Sequence, residues 1–372
     1  MSRTSDRDAC PGALQVHRAA DGALARVRLP GGLITAAQLE ALAGIASRFA
    51  AGTLELTARG NVQLRGITDT AAVAAAVAAA GLLPSATHER VRNIVASPLS
   101  GRAGGRADVR PWVTALDGAI RSDASLAGLP GRFWFSLDDG SADVSGLAAD
   151  AGVMAGPDGV ALLLAGDDTG VRLRPTEAVQ ALVTVARRFV DVSGNAWRIS
   201  ELDDPQVLLA GFGRSGSARP AIRPGARPPV GWISQDDGRV ALGAAVPLGV
   251  LPARQAQFVA AVGAPVVITP WRSLLICDLE EGVAETALRV LAPLGLVFDE
   301  TSRWLDVSAC VGSPGCERSR ADVRAEARRA AESGAVGGTV HYAGCERACG
   351  RPVAGEVLVA TDGGYRPLQG RD

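Results

Sequence analysis

The order of predicted elements constrains the fold most, because the same order occurs twice along the chain. Residues 23–82 give a strand, a helix, two strands and a helix, with a Gly31-Gly32 turn after the first strand. Residues 232–295 repeat that order, and Leu54-Glu-Leu-Thr57 in the first copy matches Val266-Val-Ile-Thr269 in the second. Each copy is most of a ferredoxin-like unit. We therefore expect two halves related by a pseudo-twofold axis, with a ligand groove between them.

Local signals predict where several of these elements begin and which side they bury. Thr35-Ala-Ala-Gln38 is a capping-box pattern, and Asp69 precedes an alanine-rich helix. The stretch Ala25–Leu29 alternates apolar residues with arginine, as a half-buried strand does. A further helix is predicted over Pro252–Val262, with Phe258 on its inner side.

These patterns predict an α+β fold of two halves, each a ferredoxin-like half-domain followed by an α/β lobe. The predicted segments are a flexible N-terminus (1–22), the first ferredoxin-like half (23–82), the first α/β lobe (83–210), a linker (211–231), the second ferredoxin-like half (232–295) and the second lobe (296–372). The linker contains Gly211-Phe-Gly-Arg-Ser-Gly216, but prolines follow where a dinucleotide-binding turn requires a helix. We therefore expect no nucleotide site there.

Four of the six cysteines lie in the second lobe, as C-x5-C followed by C-x3-C: Cys310, Cys316, Cys345 and Cys349. Glycine and proline surround them, so these segments form loops whose sulfurs can turn toward one point. Loop N–H groups that donate to sulfur suit a cubane iron–sulfur cluster. A structural zinc site usually has the tighter C-x2-C pair. Unrelated cysteines are the remaining alternative, and Cys277, in an apolar run, is expected to be inert.

Composition excludes several classes of function. The chain has 372 residues and a net charge near zero, so it resembles neither a nucleic-acid-binding protein nor a disordered one. It contains no lysine, which excludes a Schiff-base lysine and a Walker-type phosphate loop. Any bound anion must be held by arginine, backbone or helix ends. The apolar run Ala71–Ala80 is too short to span a membrane. The N-terminus lacks an apolar signal region, so we expect a cytoplasmic protein without disulfides.

The first half carries its own candidate polar residues. They lie between two predicted strands, before Ser97-Pro98 and within the stretch Leu129–Phe135: Arg59, Asn61, Gln63, Arg92, Asn93 and Arg132. Each arginine alone is more often a solvated surface residue. Together, near strand ends facing the groove, they form a candidate site for an anionic ligand. His341, four residues before Cys345, is either a group near the cysteines or a core residue.

These residues resemble the sulfite and nitrite reductase hemoprotein family. The resemblance rests on the cysteine spacing, the T-x-R-x-N-x-Q stretch from Thr57, the R-N-x-x-x-S-P stretch from Arg92 and the repeated halves, and it covers the chain from about residue 22. It implies a [4Fe–4S] cluster on the four cysteines, with Cys349 able to bridge to the iron of siroheme. It also implies that Arg59 and Arg92 bind an oxyanion substrate and tetrapyrrole carboxylates.

One branch of that family is more similar than the others. Sulfite reductases carry active-site lysines, which this chain lacks, whereas Leu129–Gly140 and Ile268–Arg272 look like the precorrin-3B synthase branch. That resemblance implies an O2-dependent hydroxylation of precorrin-3A, a polycarboxylate tetrapyrrole, with γ-lactone formation. It implies a second iron centre, non-haem or siroheme, and reduction by a donor protein or an NADH-linked reductase. A siroheme-dependent ferredoxin nitrite or sulfite reductase, or a non-catalytic cluster-containing carrier, remain alternatives, and the catalytic residues stay unknown.

Overall fold

The computed structural model describes residues 10–218, 227–334, 337–352 and 354–368. The first repeat forms β1 (His17–Ala19), β2 (Gly22–Val27), β3 (Leu33–Ile34), α1 (Ala36–Phe49), β4 (Thr53–Leu56), β5 (Val62–Ile67) and α2 (Thr70–Ala79). It is followed by β6 (Ile94–Ala96), α3 (Arg110–Ser122), β7 (Phe135–Asp138), β8 (Ala151–Gly156), β9 (Gly159–Leu164), β10 (Asp167–Leu173) and α4 (Ala178–Val192).

The second part of the chain repeats this order. The second repeat forms β11 (Gly231–Ser234), β12 (Val240–Ala245), β13 (Val250–Pro252), α5 (Ala253–Ala261), β14 (Val266–Ile268), β15 (Ser273–Leu279) and α6 (Glu281–Leu291). Its lobe forms β16 (Val307–Ala309), α7 (Val323–Ser333), β17 (Val340–Ala343), β18 (Glu356–Thr361) and β19 (Gly364–Pro367). The α+β fold with two pseudo-twofold halves is therefore as predicted.

Each ferredoxin-like sheet is completed by a strand from the other half. The first sheet has the order β1-β2-β5-β4-β13 and the second β11-β12-β15-β14-β3. Strand β3 of the first repeat pairs antiparallel with β14, and β13 of the second repeat pairs antiparallel with β4. One apolar cluster spans both repeats, with Leu39 and Leu42 of α1 and Val259 of α5 among its members. The two halves therefore share one core.

Glycine is required where β3 enters the second sheet. The backbone of Gly32 has φ +71°, a conformation that residues with a Cβ rarely adopt. A Cβ placed there would lie 2.0 Å from the carbonyl oxygen of Ile268 in β14. The Gly31-Gly32 turn of the sequence is thus also a point of close approach between the halves.

The two lobes have matching sheets. Their strand orders are β10-β9-β8-β7-β6 and β16-β17-β18-β19. Strands β6, β7 and β8 are parallel, as are β16, β17 and β18, and an antiparallel strand follows each set. Carboxyl ends of parallel neighbours meet at one edge of a sheet, so the loops after β6 and β7, and those after β16 and β17, gather in pairs.

The helix signals in the sequence are mostly confirmed. Thr35 and Gln38 form the predicted capping box of α1, and the Asp69 side chain accepts from the Ala72 backbone N–H at the start of α2. The prediction for Phe258 is wrong, because this side chain is 36% exposed and lies against the Arg254 guanidinium. None of the helices in the described ranges is both long and apolar enough to cross a membrane.

The N-terminal segment differs from its prediction. The sequence predicts a flexible region over residues 1–22, but residues 10–22 are ordered and include β1, while residues 1–9 lie outside the described part. The buried Glu89 carboxylate accepts hydrogen bonds from the backbone N–H groups of Ala13, Leu14 and Gln15 at 2.6–3.1 Å. Part of the predicted linker, residues 219–226, also lies outside the described residues. The domain limits remain a prediction.

Replacing Glu89 should loosen this segment. Glu89→Ala leaves three backbone donors without their charged acceptor, so we expect the free energy of unfolding to fall by about 1.5–3 kcal/mol. Urea unfolding monitored by circular dichroism measures this. Glu40→Ala, on the exposed side of α1, serves as the control and should change stability by less than about 0.5 kcal/mol. Equal stability of the two variants would show that Glu89 does not hold the N-terminal segment.

Candidate redox and anion-binding site

One face of the first ferredoxin-like sheet carries polar side chains where the fold predicts apolar ones. Strand pairing places Arg26 opposite Gln63, and Gln63 opposite Glu55. Residues two apart on a strand share a face, so Arg28 and Arg65 lie on this face too. The opposite face, with Val27, Val62 and Leu64, packs into the shared core. We call the set Arg26, Arg28, Glu55, Gln63 and Arg65 the polar face.

The second sheet supplies an internal comparison. At the positions that strand pairing makes equivalent to the polar face, the second sheet has Gly243, Ala245, Val267, Leu275 and Cys277. The last three form an apolar cluster with Ala241. The same backbone is therefore stable without charges at these positions, so the fold alone does not account for the polar face.

The four predicted cysteines gather at the carboxyl edge of the second lobe's sheet. Cys310 directly follows β16, while Cys345 and Cys349 lie in the loop after its parallel neighbour β17. Cys349 is exposed as a whole residue, yet loss of water around its thiol raises its pKa, and the charges of the other three cysteines add to the rise. The Gly344 backbone N–H donates to the Cys310 Sγ at 3.2 Å. The four thiols therefore lie near one another, with a backbone donor beside Cys310.

The spacing of these sulfurs bears on which metal group fits. A tetrahedral zinc site with Zn–S bonds of 2.3 Å brings its sulfurs to about 3.8 Å from one another. Within the described residues, no three cysteine sulfurs lie within 4.8 Å of one another. A cubane cluster has its cysteine ligands on the outside of a larger core, so it does not require sulfurs as close together as one zinc ion does. Assignment of the four ligands remains a prediction.

The cysteine loop lies directly on the polar face. The Arg65 Nη2 donates to the carbonyl oxygen of Gly315, which lies between Cys310 and Cys316, at 2.9 Å. The same guanidinium forms an ion pair with Asp21 at 2.8 Å. Glu55 forms an ion pair with Arg324 at the start of α7 at 2.7 Å. The polar face is thus joined to the second lobe through Arg65 and through Glu55.

His341 is a core residue of that lobe. It is fully buried, and its Nδ1 lies 2.9 Å from the Ser308 Oγ on β16. Burial, together with the nearby Arg272 charge, lowers its pKa to about 4. His341 is therefore neutral at physiological pH. It is a core residue, as one alternative from the sequence predicted, and it also contacts the backbone of Cys349, as the other predicted.

Three of the predicted site residues form hydrogen bonds or ion pairs with other parts of the protein. The Asn61 Oδ1 accepts from the Leu29 N–H at 2.8 Å, and its Nδ2 donates to the Asn93 Oδ1 at 3.3 Å. The Asn93 Nδ2 donates to the backbone carbonyl oxygens of Arg90, Gly131 and Phe133. Arg92 forms a two-bond ion pair with Asp117 of α3, at 2.5 and 3.1 Å. A ligand role for these residues remains a prediction, but their polar atoms already have protein partners.

The other three predicted residues differ in exposure. The Gln63 Oε1 accepts from the Arg26 guanidinium and so orients it. The Arg59 guanidinium lies 5.4 Å from the ring centre of Trp134, and loss of water lowers its pKa to about 10, with the Arg198 charge adding to the effect. Arg132 is exposed and lies 4.8 Å from the ring centre of Trp197. Of the three, Arg59 is the best placed to meet a ligand inside the protein.

Arg28 is not among the residues predicted from the sequence. The alternation in Ala25–Leu29 predicts a half-buried strand with a solvated side, but the N-terminal segment and the second lobe cover that side. Arg28 is only 2% exposed. A comparison of the two repeats could have identified Arg28, because the equivalent strand has Gly243 and Ala245 where this strand has Arg26 and Arg28.

A group of three carboxylates lies in the first lobe. Oxygen atoms of Asp138, at the end of β7, and of Asp139 and Asp143, in the loop after it, lie within 4.8 Å of one another. Asp138 accepts four backbone N–H groups of its own loop, and the Ser97 hydroxyl donates to Asp143 at 2.6 Å. These bonds account for the loop's shape without a bound ion.

Comparison with known proteins agrees with this architecture. Residues 16–80 match the family model described as the nitrite/sulfite reductase ferredoxin-like half domain. The structure of the NirA protein of Mycobacterium tuberculosis superposes with a TM-score of 0.74 at 21% identity, over 93% of this chain and 73% of that one. The match to the NirA structure supports the fold described above for this chain.

Two curated proteins narrow the assignment. Precorrin-3B synthase of a Sinorhizobium species is 30% identical over 381 residues, which covers 96% of this chain and 82% of that protein. Ferredoxin–nitrite reductase of Synechococcus elongatus is 28% identical over 184 residues, covering 46% of this chain and 36% of that protein. The chain belongs to the nitrite and sulfite reductase family of oxidoreductases, and within it to the precorrin-3B synthase branch.

Serine substitution of a cluster cysteine tests the ligand prediction. Cys345→Ser should lose most of the cluster, because a hydroxyl is a much poorer ligand for iron than a thiolate. Iron, acid-labile sulfide and visible absorbance per chain measure the loss. Cys277→Ala is the control, since burial raises the pKa of that thiol to about 12 and keeps it protonated. A full complement of cluster in Cys345→Ser would contradict the assignment.

Asp143 should make stability depend on pH. Burial raises its pKa from 3.8 to about 6, and the nearby Asp138 and Asp139 charges add to the rise. The folded protein therefore binds the proton more tightly, and stability should decrease as pH rises from about 4 to about 6. Asp143→Asn should remove this dependence and add up to about 3 kcal/mol at pH ~7.5. Urea unfolding across that pH range measures both, and an unchanged pH profile would contradict the prediction.

Proposed function

We propose that the protein is a precorrin-3B synthase of aerobic cobalamin biosynthesis. It hydroxylates precorrin-3A with O2 and forms a γ-lactone with a ring A acetate. One oxygen atom enters the substrate, and the other leaves as water with two electrons and two protons from a reductant. The observation that carries the proposal is the 30% identity to a precorrin-3B synthase along 96% of the chain.

The arrangement of the site supports a redox reaction on a polycarboxylate. Cys310, Cys316, Cys345 and Cys349 would hold a [4Fe–4S] cluster, which supplies single electrons when bound, with a second iron centre, non-haem or siroheme, for oxygen chemistry. The polar face lies beneath these cysteines through the contact of Arg65 with Gly315. Its guanidinium groups can bind substrate carboxylates with paired hydrogen bonds. Orientation of this kind can lower a barrier by about 7–11 kcal/mol at best.

A siroheme-dependent nitrite or sulfite reductase is the second candidate. The match to a ferredoxin–nitrite reductase favours it, but that match covers only 46% of this chain. The absence of lysine disfavours sulfite reduction, because the family's sulfite reductases have lysines beside the anion. A cluster-containing carrier without catalysis is a third candidate, and it predicts tetrapyrrole binding without turnover.

A single-turnover experiment separates these candidates. The protein, purified anaerobically with its cluster and reduced, is mixed with precorrin-3A and then exposed to 18O2. We expect a product heavier by one 18O atom, formed only when protein, reductant and oxygen are all present. A cytoplasmic donor protein or an NADH-linked reductase should sustain further turnovers.

Three controls define failure of the proposal. Nitrite and sulfite are tested in place of precorrin-3A under the same reduction, and extracted pigment is analysed for siroheme. Stoichiometric siroheme together with nitrite or sulfite turnover would establish the second candidate instead. Binding of precorrin-3A without oxygen incorporation would establish the carrier.

A further inference from the structure

Arg272 occupies a turn position where the first repeat has a glycine. Strand pairing makes the β4–β5 turn equivalent to the β14–β15 turn, and Gly60 is the counterpart of Arg272. In each turn the N–H of this residue donates to a threonine carbonyl oxygen, of Thr57 or of Thr269, at 3.1 Å. Both backbones are left-handed, with φ +64° at Gly60 and +58° at Arg272. This conformation favours glycine, so the reason for an arginine lies in what its side chain contacts.

The Arg272 side chain crosses from the second ferredoxin-like sheet to the cysteines of the second lobe. Its Nη2 donates to the carbonyl oxygen of Gly350, the residue after Cys349, at 2.5 Å. Its guanidinium also lies close enough to Cys310 to interact electrostatically with that thiol. Cys310 follows β16 and Cys349 lies in the loop after β17, so one guanidinium group lies beside both cysteine loops.

Two glycines leave room for this side chain. A Cβ at Gly249 would lie 2.9 Å from the Arg272 Cδ, and a Cβ at Gly350 would overlap the Arg272 Nη2. A side chain at either position would displace the arginine. The approach of Arg272 to the cysteine loops therefore depends on both glycines.

The charge of Arg272 is poorly compensated within the protein. Arg272 is half-buried, and loss of water lowers its pKa. The Arg324 charge lowers this pKa further, while Glu55 and Cys310 act in the opposite direction. Glu55 already forms an ion pair with Arg324 at 2.7 Å. Arginine stays protonated at neutral pH, so a cation without a carboxylate of its own lies beside the cysteine loops.

A cluster held by the four cysteines would be the anion that this cation lacks. Four thiolates make a [4Fe–4S] cluster negative, and each electron that it accepts makes it more negative. A nearby cation therefore stabilises the reduced form more than the oxidised form. Net charge and hydrogen bonds are among the factors that set cluster potentials. Arg272 is placed to act through its charge and through its contact with Gly350.

We propose that Arg272 is a positioning residue that holds the Cys349 loop and raises the reduction potential of the cluster. The proposal rests on the part of the proposed function that assigns a [4Fe–4S] cluster to the four cysteines, and it does not depend on the substrate. A higher potential lets the cluster accept electrons from a weaker reductant.

A redox titration of Arg272→Met tests the proposal. Methionine removes the charge and the hydrogen bond while keeping much of the side-chain length. The anaerobically purified protein is poised at a series of potentials with mediators, and the EPR signal of the reduced cluster is measured at each. We expect the equilibrium constant for reduction to fall about tenfold, equivalent to a midpoint potential lowered by about 59 mV for one electron. Arg272→Lys keeps the charge and should stay close to the potential of the parent protein.

Arg272→Gly and Arg347→Met are matched variants. Glycine suits the left-handed backbone, and Trp271 beside it packs against Trp134 of the first lobe, so Arg272→Gly should keep the turn and lower the potential as Arg272→Met does. Arg347 lies in the loop after β17 but is exposed, so water and salt screen its charge. Arg347→Met should lower the potential much less, and an equal lowering would overturn the particular role of Arg272.

The direction of the shift separates an electrostatic role from a loosened structure. If Arg272 only filled space, its loss would admit water to the cluster and raise the potential, because water stabilises the more highly charged reduced form. An unchanged or raised potential in Arg272→Met and Arg272→Gly, with iron and sulfide contents equal to those of the parent protein, would overturn the proposal and leave the proposed function intact.

Cluster content distinguishes the remaining outcomes. Loss of iron and sulfide from Arg272→Met and Arg272→Gly, with retention in Arg272→Lys, would support the role of the charge in holding the Cys349 loop. A parent protein that contains no iron and sulfide after anaerobic purification and reconstitution would overturn both this proposal and the cluster assignment on which it rests.

Discussion

The exchange of one strand between the two sheets is the constraint on which the rest of the structure depends. Because β3 completes the second sheet and β13 completes the first, neither half can move independently of the other. The exchange fixes each lobe above the sheet of the opposite repeat: Gly315 of the second lobe lies on Arg65, and Leu99 of the first lobe packs with Val267 and Leu275. The cysteine loop therefore lies over the polar face of the first sheet.

Duplication supplied two equivalent places for a site, and the sequence made them different. The residue after β16 is Cys310, whereas the residue after the equivalent β6 is Ser97. The loop after β17 carries thiols and that after β7 carries carboxylates, while the sheet opposite each is polar in one case and apolar in the other. Side chains alone thus distinguish these two similar contacts between a lobe and a sheet, on a backbone that tolerates either set.

Much of the fold could be predicted because its signals are local. The Thr35 capping box and the Asp69 cap act within one helical turn, and the repeated strands read directly from alternation. The features that could not be predicted depend on distant parts of the chain. Alternation in Ala25–Leu29 shows which residues share a face, but not that a segment far along the chain buries it. Ser97-Pro98 and Ser313-Pro314 look equivalent in the sequence. Strand pairing instead makes Ile94 equivalent to Val307 and leaves three extra residues in the cysteine loop.

The same limit explains why position in the sequence alone does not separate the candidate arginines. In a chain without lysine, every basic role falls to arginine, from bracing a helix to meeting a ligand. Arg92 lies in a family-like motif, yet its ion pair with Asp117 already satisfies its guanidinium. Arg28 lies in an ordinary strand, yet its guanidinium has no partner in the described structure. Removing the partner of a buried charge is strongly destabilising, because the remaining charge is left uncompensated. The partner, and not the motif, therefore shows which arginine is already held within the protein.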